Sequence, residues 1–308
     1  MDNSAIIIDN ICISYEENQA LKNISLDVKK GELFGLIGPD GAGKTSLIRI
    51  LVTLLLADSG NAKVAGYDVV TDFKKLRNIL GYMPGRFSLY QDLSVEENLN
   101  LFATIFGTTI QENYRLIKDI YEQIEPFKDR RAGKLSGGMK QKLALCCALI
   151  HKPEVLFLDE PTTGVDPVSR KEFWAMLKKL KDEGITIFVS TPYMDEAALC
   201  DRVALIQEGK ILSIDSPENI TKTFPTKLFA IGSANKYKLL KTMEAYEYTR
   251  SVQPFGEYLH YTDVREEIST AELQTFLETQ MEGKSEVFSI EPNIEDCFME
   301  LMNQQEHE

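Results

Sequence analysis

The spacing of hydrophobic residues along the first 215 positions predicts alternating strands and helices. Residues 24–28 alternate apolar and polar side chains, which is typical of a half-buried strand. The runs over 154–159 and 185–190 are almost continuously apolar, as expected of strands buried on both faces of a parallel sheet. Residues 137–150 and 168–182 are predicted helices. Further strands are predicted at 5–8, 11–15, 32–37, 202–207 and 210–215, and further helices from residue 44 and over 94–123. This alternation predicts an α/β core.

The polar, proline-flanked segment at 216–225 predicts a boundary between a first domain of residues 1–220 and a second domain of residues 221–308. After it the chain is predicted to form strand, helix, strand, strand, helix, strand and a final helix near 292–303. The first six of these elements follow the order of the ferredoxin-like split βαβ motif. The sequence therefore predicts a small α+β domain after the α/β core.

The 308 residues carry a net charge of −13, and this acidic balance disfavours binding to the phosphate backbone of nucleic acids. The five cysteines form no CxxC pair and there are only three histidines, so no structural zinc site is predicted. We interpret the cysteines as reduced core residues of a cytosolic protein. The longest apolar segment, 47–57, is too short and too polar to span a bilayer. Any role at a membrane is therefore expected to pass through a partner.

The strongest chemical signal is a glycine-rich loop after the strand predicted at 32–37. It matches G-x-x-x-x-G-K-[ST] with Gly38, Pro39, Asp40, Gly41, Ala42, Gly43, Lys44 and Thr45. Glycines let such a loop fold tightly, so that its backbone N–H groups face phosphates, and the next helix presents its positive end. Lys44 is expected to reach the β- and γ-phosphates and Thr45 to bind Mg²⁺. Ser46 completes the predicted nucleotide-binding set.

Two carboxylates end the apolar strand predicted at 154–159. Because ligands of open α/β sheets lie at the carboxyl ends of the strands, Asp159 and Glu160 are expected beside the glycine-rich loop. Asp159 can hold Mg²⁺, directly or through water, and Glu160 can polarise an attacking water as general base. An Asp-Glu pair also begins many helices as a cap. The catalytic interpretation of this pair therefore depends on the presence of the loop at 38–45.

A second predicted anion site opens the helix at 137–150. Ser136, Gly137 and Gly138 form a Ser-Gly-Gly sequence, which combines a backbone nest with a helix N-terminus. Two such helix starts in one chain need not serve the same site in that chain. The alternative is that Ser136 is a simple N-cap.

The order of these motifs, from the loop at 38–45 through Leu135–Met139 to the segment Asp159–Pro167, resembles the nucleotide-binding subunit of ABC transporters. The resemblance covers about residues 5–215. It implies the P-loop NTPase fold of the ABC cassette, with a RecA-like α/β core, a helical subdomain at about 85–150 and an antiparallel β portion at the amino end. It also implies an ATPase that uses ATP and Mg²⁺, with Glu160, Lys44 and Asp159 as catalytic residues.

Further roles follow from the same resemblance. Tyr15 matches the aromatic residue that stacks on adenine. Ser136–Gly138 match the signature that contacts the γ-phosphate bound by the other subunit, and Asp166 matches the loop that crosses the dimer. The implied partners are a membrane permease and a second ATP-binding subunit, of the same or a different chain, and the implied location is the cytoplasmic face of the membrane. The tail, which includes residues 290–298, is similar to the C-terminal extension of drug- and polyketide-export ATPases, and this similarity favours export.

Two positions depart from the family pattern. The family has glutamine after Pro84, where this chain has Gly85, and usually has histidine after Thr191, where this chain has Pro192. Gln91 is in register with a different family position and is not accepted as a substitute. Glycine offers no side-chain ligand, and proline offers neither an imidazole nor an N–H. Two interpretations stay open: neutral drift in a working subfamily, or one impaired ATP site in an asymmetric pair.

Two other functions are weighed against transport. One is an ABC ATPase that acts on DNA or ribosomes, but such proteins carry long coiled coils or two cassettes, and this acidic chain shows one cassette without a coiled coil. No nucleic-acid partner is therefore expected. The other is a regulatory ATP-binding subunit with little turnover, which the two departures motivate.

Overall fold

The computed structural model describes residues 3–281 and 283–306 and divides the chain into two compact units that separate after Pro217. The strands of the first unit are β1 (Ser4–Tyr15), β2 (Asn18–Lys29), β3 (Leu33–Ile37), β4 (Ser59–Val64), β5 (Tyr67–Asp68), β6 (Leu80–Met83), β7 (Val155–Asp159), β8 (Thr186–Thr191), β9 (Arg202–Gln207) and β10 (Lys210–Asp215). Its helices are α1 (Lys44–Leu51), α2 (Phe73–Ile79), α3 (Val95–Ile105), α4 (Tyr114–Tyr121), α5 (Gly137–Leu149) and α6 (Pro167–Asp182).

The central sheet of the first unit has the strand order β10-β9-β3-β8-β7-β6. All of these strands run parallel except β10, which forms a hairpin with β9. Every residue of β3, β7 and β8 is buried, which explains why their sequences lack alternation. Because parallel strands end at the same edge, the segments that follow β3, β6, β7 and β8 meet there, and this edge carries the candidate site.

A second sheet, β2-β1-β4-β5, is antiparallel and confirms the predicted antiparallel β portion. The strands predicted at 5–8 and 11–15 are one twelve-residue strand, β1. Its register with β2 shifts between Ile8 and Ile11, where Asn10 has a φ of 52°. A bulge of this kind interrupts the apolar alternation without ending the strand, which is why the sequence indicated two strands.

The helix predicted over 94–123 is broken in two. Helix α3 ends at Ile105, and Gly107 follows with a φ of 67°, a conformation that ends helices and favours glycine. Helix α4 begins only at Tyr114. The sequence reasoning also missed β4, β5, α2 and β6, of which β6 matters most because it leads into Gly85.

The second unit begins within helix α7 (Pro217–Lys222). Its elements are β11 (Leu228–Ser233), α8 (Lys236–Glu244), β12 (Thr249–Phe255), β13 (Tyr258–Asp263), α9 (Thr270–Gln280), β14 (Ser285–Ile290) and α10 (Ile294–Glu306). The antiparallel strand order β12-β13-β11-β14 is that of a ferredoxin-like sheet, as predicted. Phe229, Leu239, Tyr261 and Leu273 belong to its own hydrophobic core.

Candidate functional site

The loop that follows β3 depends on glycine at two positions. A Cβ at Gly38 would lie 2.1 Å from the carbonyl oxygen of Ile206 on β9. Gly43 has a φ of 103°, and a Cβ there would lie 2.5 Å from the carbonyl oxygen of Ala20. Only glycine allows the backbone to pass this close to its neighbours and to turn into α1. The predicted loop Gly38–Thr45 therefore forms a tight turn at the carboxyl end of the central sheet.

Lys44 is buried inside this turn, with an exposed fraction of 3%. Its Nζ donates hydrogen bonds to the carbonyl oxygens of Gly38 at 2.7 Å and Pro39 at 2.8 Å. The same Nζ lies 3.0 Å from Oε1 of Glu160. A buried ammonium needs such partners, and these hold the lysine charge between the loop and the end of β7.

Asp159 is the buried centre of an oxygen cluster. Its Oδ1 accepts hydrogen bonds from Thr45 Oγ1 at 3.0 Å and from Ser190 Oγ at 2.8 Å. Burial raises the pKa of Asp159, although these two hydrogen bonds oppose the shift. The structure thus brings together two residues, Thr45 and Asp159, that are 114 positions apart in the sequence.

Glu160 turns away from the line of β7. Its φ is 50°, a left-handed conformation that is uncommon for glutamate and is often found at functional sites. Its backbone N–H donates to both the carbonyl oxygen and Oγ of Ser190, each at 3.1 Å, and these bonds fix the turn. The side chain is consequently directed towards Lys44, and Thr163 Oγ1 donates to its second oxygen at 3.4 Å.

Tyr15 lies at the end of β1 beside the first turn of α1. Its hydroxyl is 3.2 Å from Ser46 Oγ, and 44% of the residue is exposed. An aromatic ring that is partly exposed next to the glycine-rich loop is placed where a flat ring could stack on it.

The signature segment, Ser136–Gly138, begins α5. Ser136 Oγ accepts a hydrogen bond from the backbone N–H of Met139 at 3.4 Å, so the residue is an N-cap. A Cβ at Gly137 would lie 3.9 Å from the carbonyl oxygen of Gly164, and one at Gly138 would lie 2.8 Å from Ser169 Oγ. The signature segment therefore lies against the start of α6.

Asp166 caps the neighbouring helix, α6. Its carboxylate accepts hydrogen bonds from the backbone N–H groups of Ser169 at 3.0 Å and Val168 at 3.1 Å, which lower the pKa of Asp166. Ser136, Gly137 and Asp166 are all exposed. They offer one accessible face made of two helix starts.

The two departures from the family pattern lie in the segments that follow β6 and β8. Met83 of β6 pairs with Leu158 of β7, so Gly85 comes opposite the end of β7, where a Cβ would lie 2.9 Å from the carbonyl oxygen of Asp159. Pro192 directly follows β8. Gln91 lies elsewhere: its carbonyl oxygen accepts a hydrogen bond from Gly133.

Sequence reasoning missed a buried ion pair behind this edge. Glu196 is 1% exposed, and its Oε1 lies 3.1 Å from Nε of Arg170. No local motif marks either residue, because they are brought together only by the packing of α6 against the segment after β8.

In the described residues, no helix is long and apolar enough to cross a membrane.

Comparisons with known proteins agree with this geometry. The family model described as "ABC transporter" matches residues 21–163. The probable multidrug ABC transporter ATP-binding protein YbhF of Escherichia coli (strain K12) is 45% identical over 222 residues, which is 71% of this chain. The chain spans only 38% of the length of that relative. The Nod factor export ATP-binding protein I of Rhizobium sp. (strain N33) is 33% identical over 308 residues, 98% of either chain, so that match includes the second unit.

Solved structures show the same fold. The cbiO1 protein from Clostridium perfringens, part of the ABC transporter complex cbiONQ, has a TM-score of 0.65 and 26% identity, and the match covers 72% of this chain and 92% of that one. The dimeric bacterial ABC transporter cassette MJ0796 has a TM-score of 0.62 and 25% identity, with 68% and 98% covered. The predicted fold is thereby confirmed, and the chain belongs to the ATP-binding proteins of ABC transporters, a family of P-loop ATPases.

Proposed function

We propose that the edge of the central sheet is an ATP site at which Lys44, Asp159 and Glu160 carry the chemistry. The observation that carries this proposal is the meeting of two pairs in one place: Lys44 Nζ with Glu160 Oε1 at 3.0 Å, and Thr45 Oγ1 with Asp159 Oδ1 at 3.0 Å. The backbone N–H groups of Gly38–Ser46 cradle the phosphates, and the Lys44 charge faces the β- and γ-phosphates.

The donor set fits Mg²⁺. A carboxylate and a hydroxyl are oxygen ligands of the kind that Mg²⁺ prefers, and Mg²⁺ is usually held by one or two protein groups beside substrate phosphates. Thr45 and Asp159 are the residues that would hold it. When bound, the ion neutralises charge on the phosphates. Burial raises the pKa of Asp159, and a cation bound there would lower it, because a nearby positive charge stabilises the ionised carboxylate.

We assign to Glu160 the role of general base for the attacking water. Its side chain is 21% exposed, so water reaches a carboxylate that the backbone holds in a fixed direction. A positioned base of this kind contributes roughly 10²–10⁴-fold to a rate. The ion pair with Lys44 holds the carboxylate near the phosphate end of the loop.

A second ATP-binding subunit completes the assembly in this proposal. The signature segment Ser136–Gly138, of which Ser136 and Gly137 are exposed, and the exposed Asp166 face that partner, where the helix start meets the γ-phosphate bound by the other loop. Tyr15 stacks on the adenine bound at this chain's own loop. The dimeric MJ0796 cassette supports the pairing.

The proposed biological role is to drive export through a separate membrane permease. Several relatives are named as multidrug, Nod factor export or resistance ATP-binding proteins, which supports export and a place on the cytoplasmic face of the membrane. We also propose that residues 1–220 form the nucleotide-binding domain and residues 221–308 a C-terminal domain; the separation of the two compact units after Pro217 supports this division.

Gly85 and Pro192 favour a second candidate function, that of an ATP-binding subunit with little turnover of its own. Both residues belong to the half-site around this chain's own glycine-rich loop, and neither supplies the side chain that the family pattern has there. On this account the chain's own site turns over slowly and its signature segment serves a more active partner.

The experiment is to purify the tagged full-length chain from membranes and identify bound subunits by mass spectrometry. Export predicts an integral membrane protein in the complex, and a second ATP-binding chain if the pair is asymmetric. Isolation with ribosomes or DNA and without a membrane protein would contradict the transport proposal. Turnover of the isolated chain at about 1 s⁻¹ or faster, the usual enzyme range, would contradict the impaired site.

A further inference from the structure

Glu196 is a buried carboxylate that accepts hydrogen bonds from three separate segments of the first unit. Thr162 Oγ1 donates to its Oε1 at 2.8 Å, Arg170 Nε donates to the same oxygen at 3.1 Å, and Thr191 Oγ1 donates to Oε2 at 2.5 Å. Only 1% of the residue is exposed. Every donor aims at one of its two oxygens, so Glu196 is the point at which the three segments are tied together.

The three donors border the reacting groups on different sides. Thr162 follows Glu160 by two residues, in the loop that leads to α6. Thr191 ends β8, between Ser190, which bonds to Asp159 and Glu160, and Pro192. Glu196 therefore ties the loop after Glu160 to the strand whose Ser190 bonds to the Asp159 carboxylate and to the backbone N–H of Glu160.

Arg170 brings in the start of α6. Besides Glu196, it pairs with Asp195 at 3.2 Å, and its guanidinium carbon lies 4.2 Å from the ring centroid of Tyr193. Its neighbour Ser169 lies against Gly138 of the signature segment. The same helical turn thus contacts the segment after β8 on one side and the signature segment on the other.

The cost of leaving a buried carboxylate unpaired keeps the hydrogen-bond network around Glu196 rigid. A buried carboxylate is strongly destabilising unless it is paired and hydrogen-bonded, so Glu196 resists any movement that separates it from its donors. Pro192 supplies no backbone N–H and no imidazole, so the segment after β8 depends on other contacts. Tyr193 N–H donates to Thr191 Oγ1 at 3.1 Å, which adds the residue after the proline to the same network.

We infer that Glu196 is a positioning residue for ATP hydrolysis: through Thr162 and Thr191 it fixes the directions of Glu160 and Ser190, at a place where this chain has proline instead of histidine. The inference rests on the proposed role of Glu160. It concerns the rate of the chemical step, because none of the residues in the network belongs to the glycine-rich loop that holds the phosphates.

The test is Glu196→Gln in the full-length chain, with steady-state hydrolysis of MgATP and a separate measurement of the Kd for ATP. The amide places an N–H₂ group where one threonine hydroxyl now donates. We expect kcat to fall about tenfold, since a small misplacement of catalytic groups is costly, while Kd changes by less than about twofold. Asp195→Asn is the matched control: it removes an adjacent charge that also pairs with Arg170 but has a side chain that is 75% exposed, and kcat should stay within about twofold.

A second pair of variants keeps the inference testable if Glu196→Gln folds poorly. Thr162→Val removes one donor with little change in shape, and Arg170→Gln removes another, with the exposed Lys171→Gln as its control. Both should lower kcat with Kd unchanged, and the Thr162→Val/Arg170→Gln double variant should lose less than the product of the two separate losses. Unchanged kcat in both folded single variants, or a parallel loss of kcat and ATP binding, overturns the inference. Failure of Lys44→Ala to weaken ATP binding would instead count against the proposed site itself.

Discussion

The signature segment and the glycine-rich loop are both helix starts that can face phosphate, but they are built differently. Ser136 and Gly137 are exposed, and the segment is held by contacts with the next helix start, near Gly164 and Ser169. Lys44 and Asp159, in contrast, are buried, with exposed fractions of 3% and 4%. One region is accessible at the surface, and the other encloses its charged groups.

This difference indicates which of the two regions is affected by the departures from the family pattern. The signature segment is complete in sequence, and its own N-cap and the neighbouring helix start hold it. The half-site at the glycine-rich loop needs loops that follow β6 and β8, and those are the loops that carry Gly85 and Pro192. We therefore expect this chain to contribute an intact surface to its partner and a weakened site of its own.

The largest expected effect comes from Gly138→Asp in the complex purified from membranes. A carboxylate at the start of α5 would oppose the γ-phosphate of the partner site and remove preorganised stabilisation worth about a hundredfold in rate. Glu160→Gln in the same complex should cost less than about tenfold, since it affects the slower site. Transport activity is measured for both. A Glu160→Gln complex no more active than empty membranes would show that the two half-sites do not differ as proposed.

A smaller effect is expected for Lys44→Ala on ATP binding by the isolated chain. Loss of a charged donor to phosphate should weaken the Kd by tenfold to about a hundredfold, or roughly 1.5–3 kcal/mol. Lys74→Ala, on the exposed side of α2, is the control. The Kd for MgATP can be measured by calorimetry, and a change of less than about threefold would mean that the site lies elsewhere.

Pro192→His tests the weaker half-site directly. An imidazole at this position restores a hydrogen-bonding group beside the end of β8, and we expect turnover of the isolated chain to rise about tenfold with little change in ATP affinity. Pro192→Ala, which restores only the backbone N–H, is the control. If both variants match the unchanged chain, the proline is neutral and the site is not impaired at this position.

The smallest effect is expected for Gly85→Gln. A Cβ at this position would lie 2.9 Å from the carbonyl oxygen of Asp159, so the loop has to move before a carboxamide can act. We expect turnover to change by less than about threefold, and Gly85→Ala, which adds the Cβ alone, should lower it slightly. A tenfold gain from Gly85→Gln would show that the loop gives way easily and that the missing glutamine limits the rate.

The sequence predicted local features well. The loop Gly38–Thr45 could be assigned because its glycines and lysine are consecutive, and the buried strands β7 and β8 because both faces of a parallel strand are apolar. The helix predicted over 94–123 was wrong in its middle, since the left-handed turn at Gly107 interrupts a pattern that remains amphipathic on either side. The β6 strand was missed because four residues are too few to show a period.

The sequence by itself indicated which residues are candidates for the chemistry, because tight turns, helix starts and strand ends are set by neighbours along the chain. Only the tertiary structure decided how those residues meet. Thr45 and Asp159 are 114 positions apart, and Gly85 reaches Asp159 only because β6 pairs with β7. Glu196 could not be singled out at all, since its donors come from segments that are joined by packing alone. Contacts between distant segments depend on sheet order and helix packing, which no local spacing records.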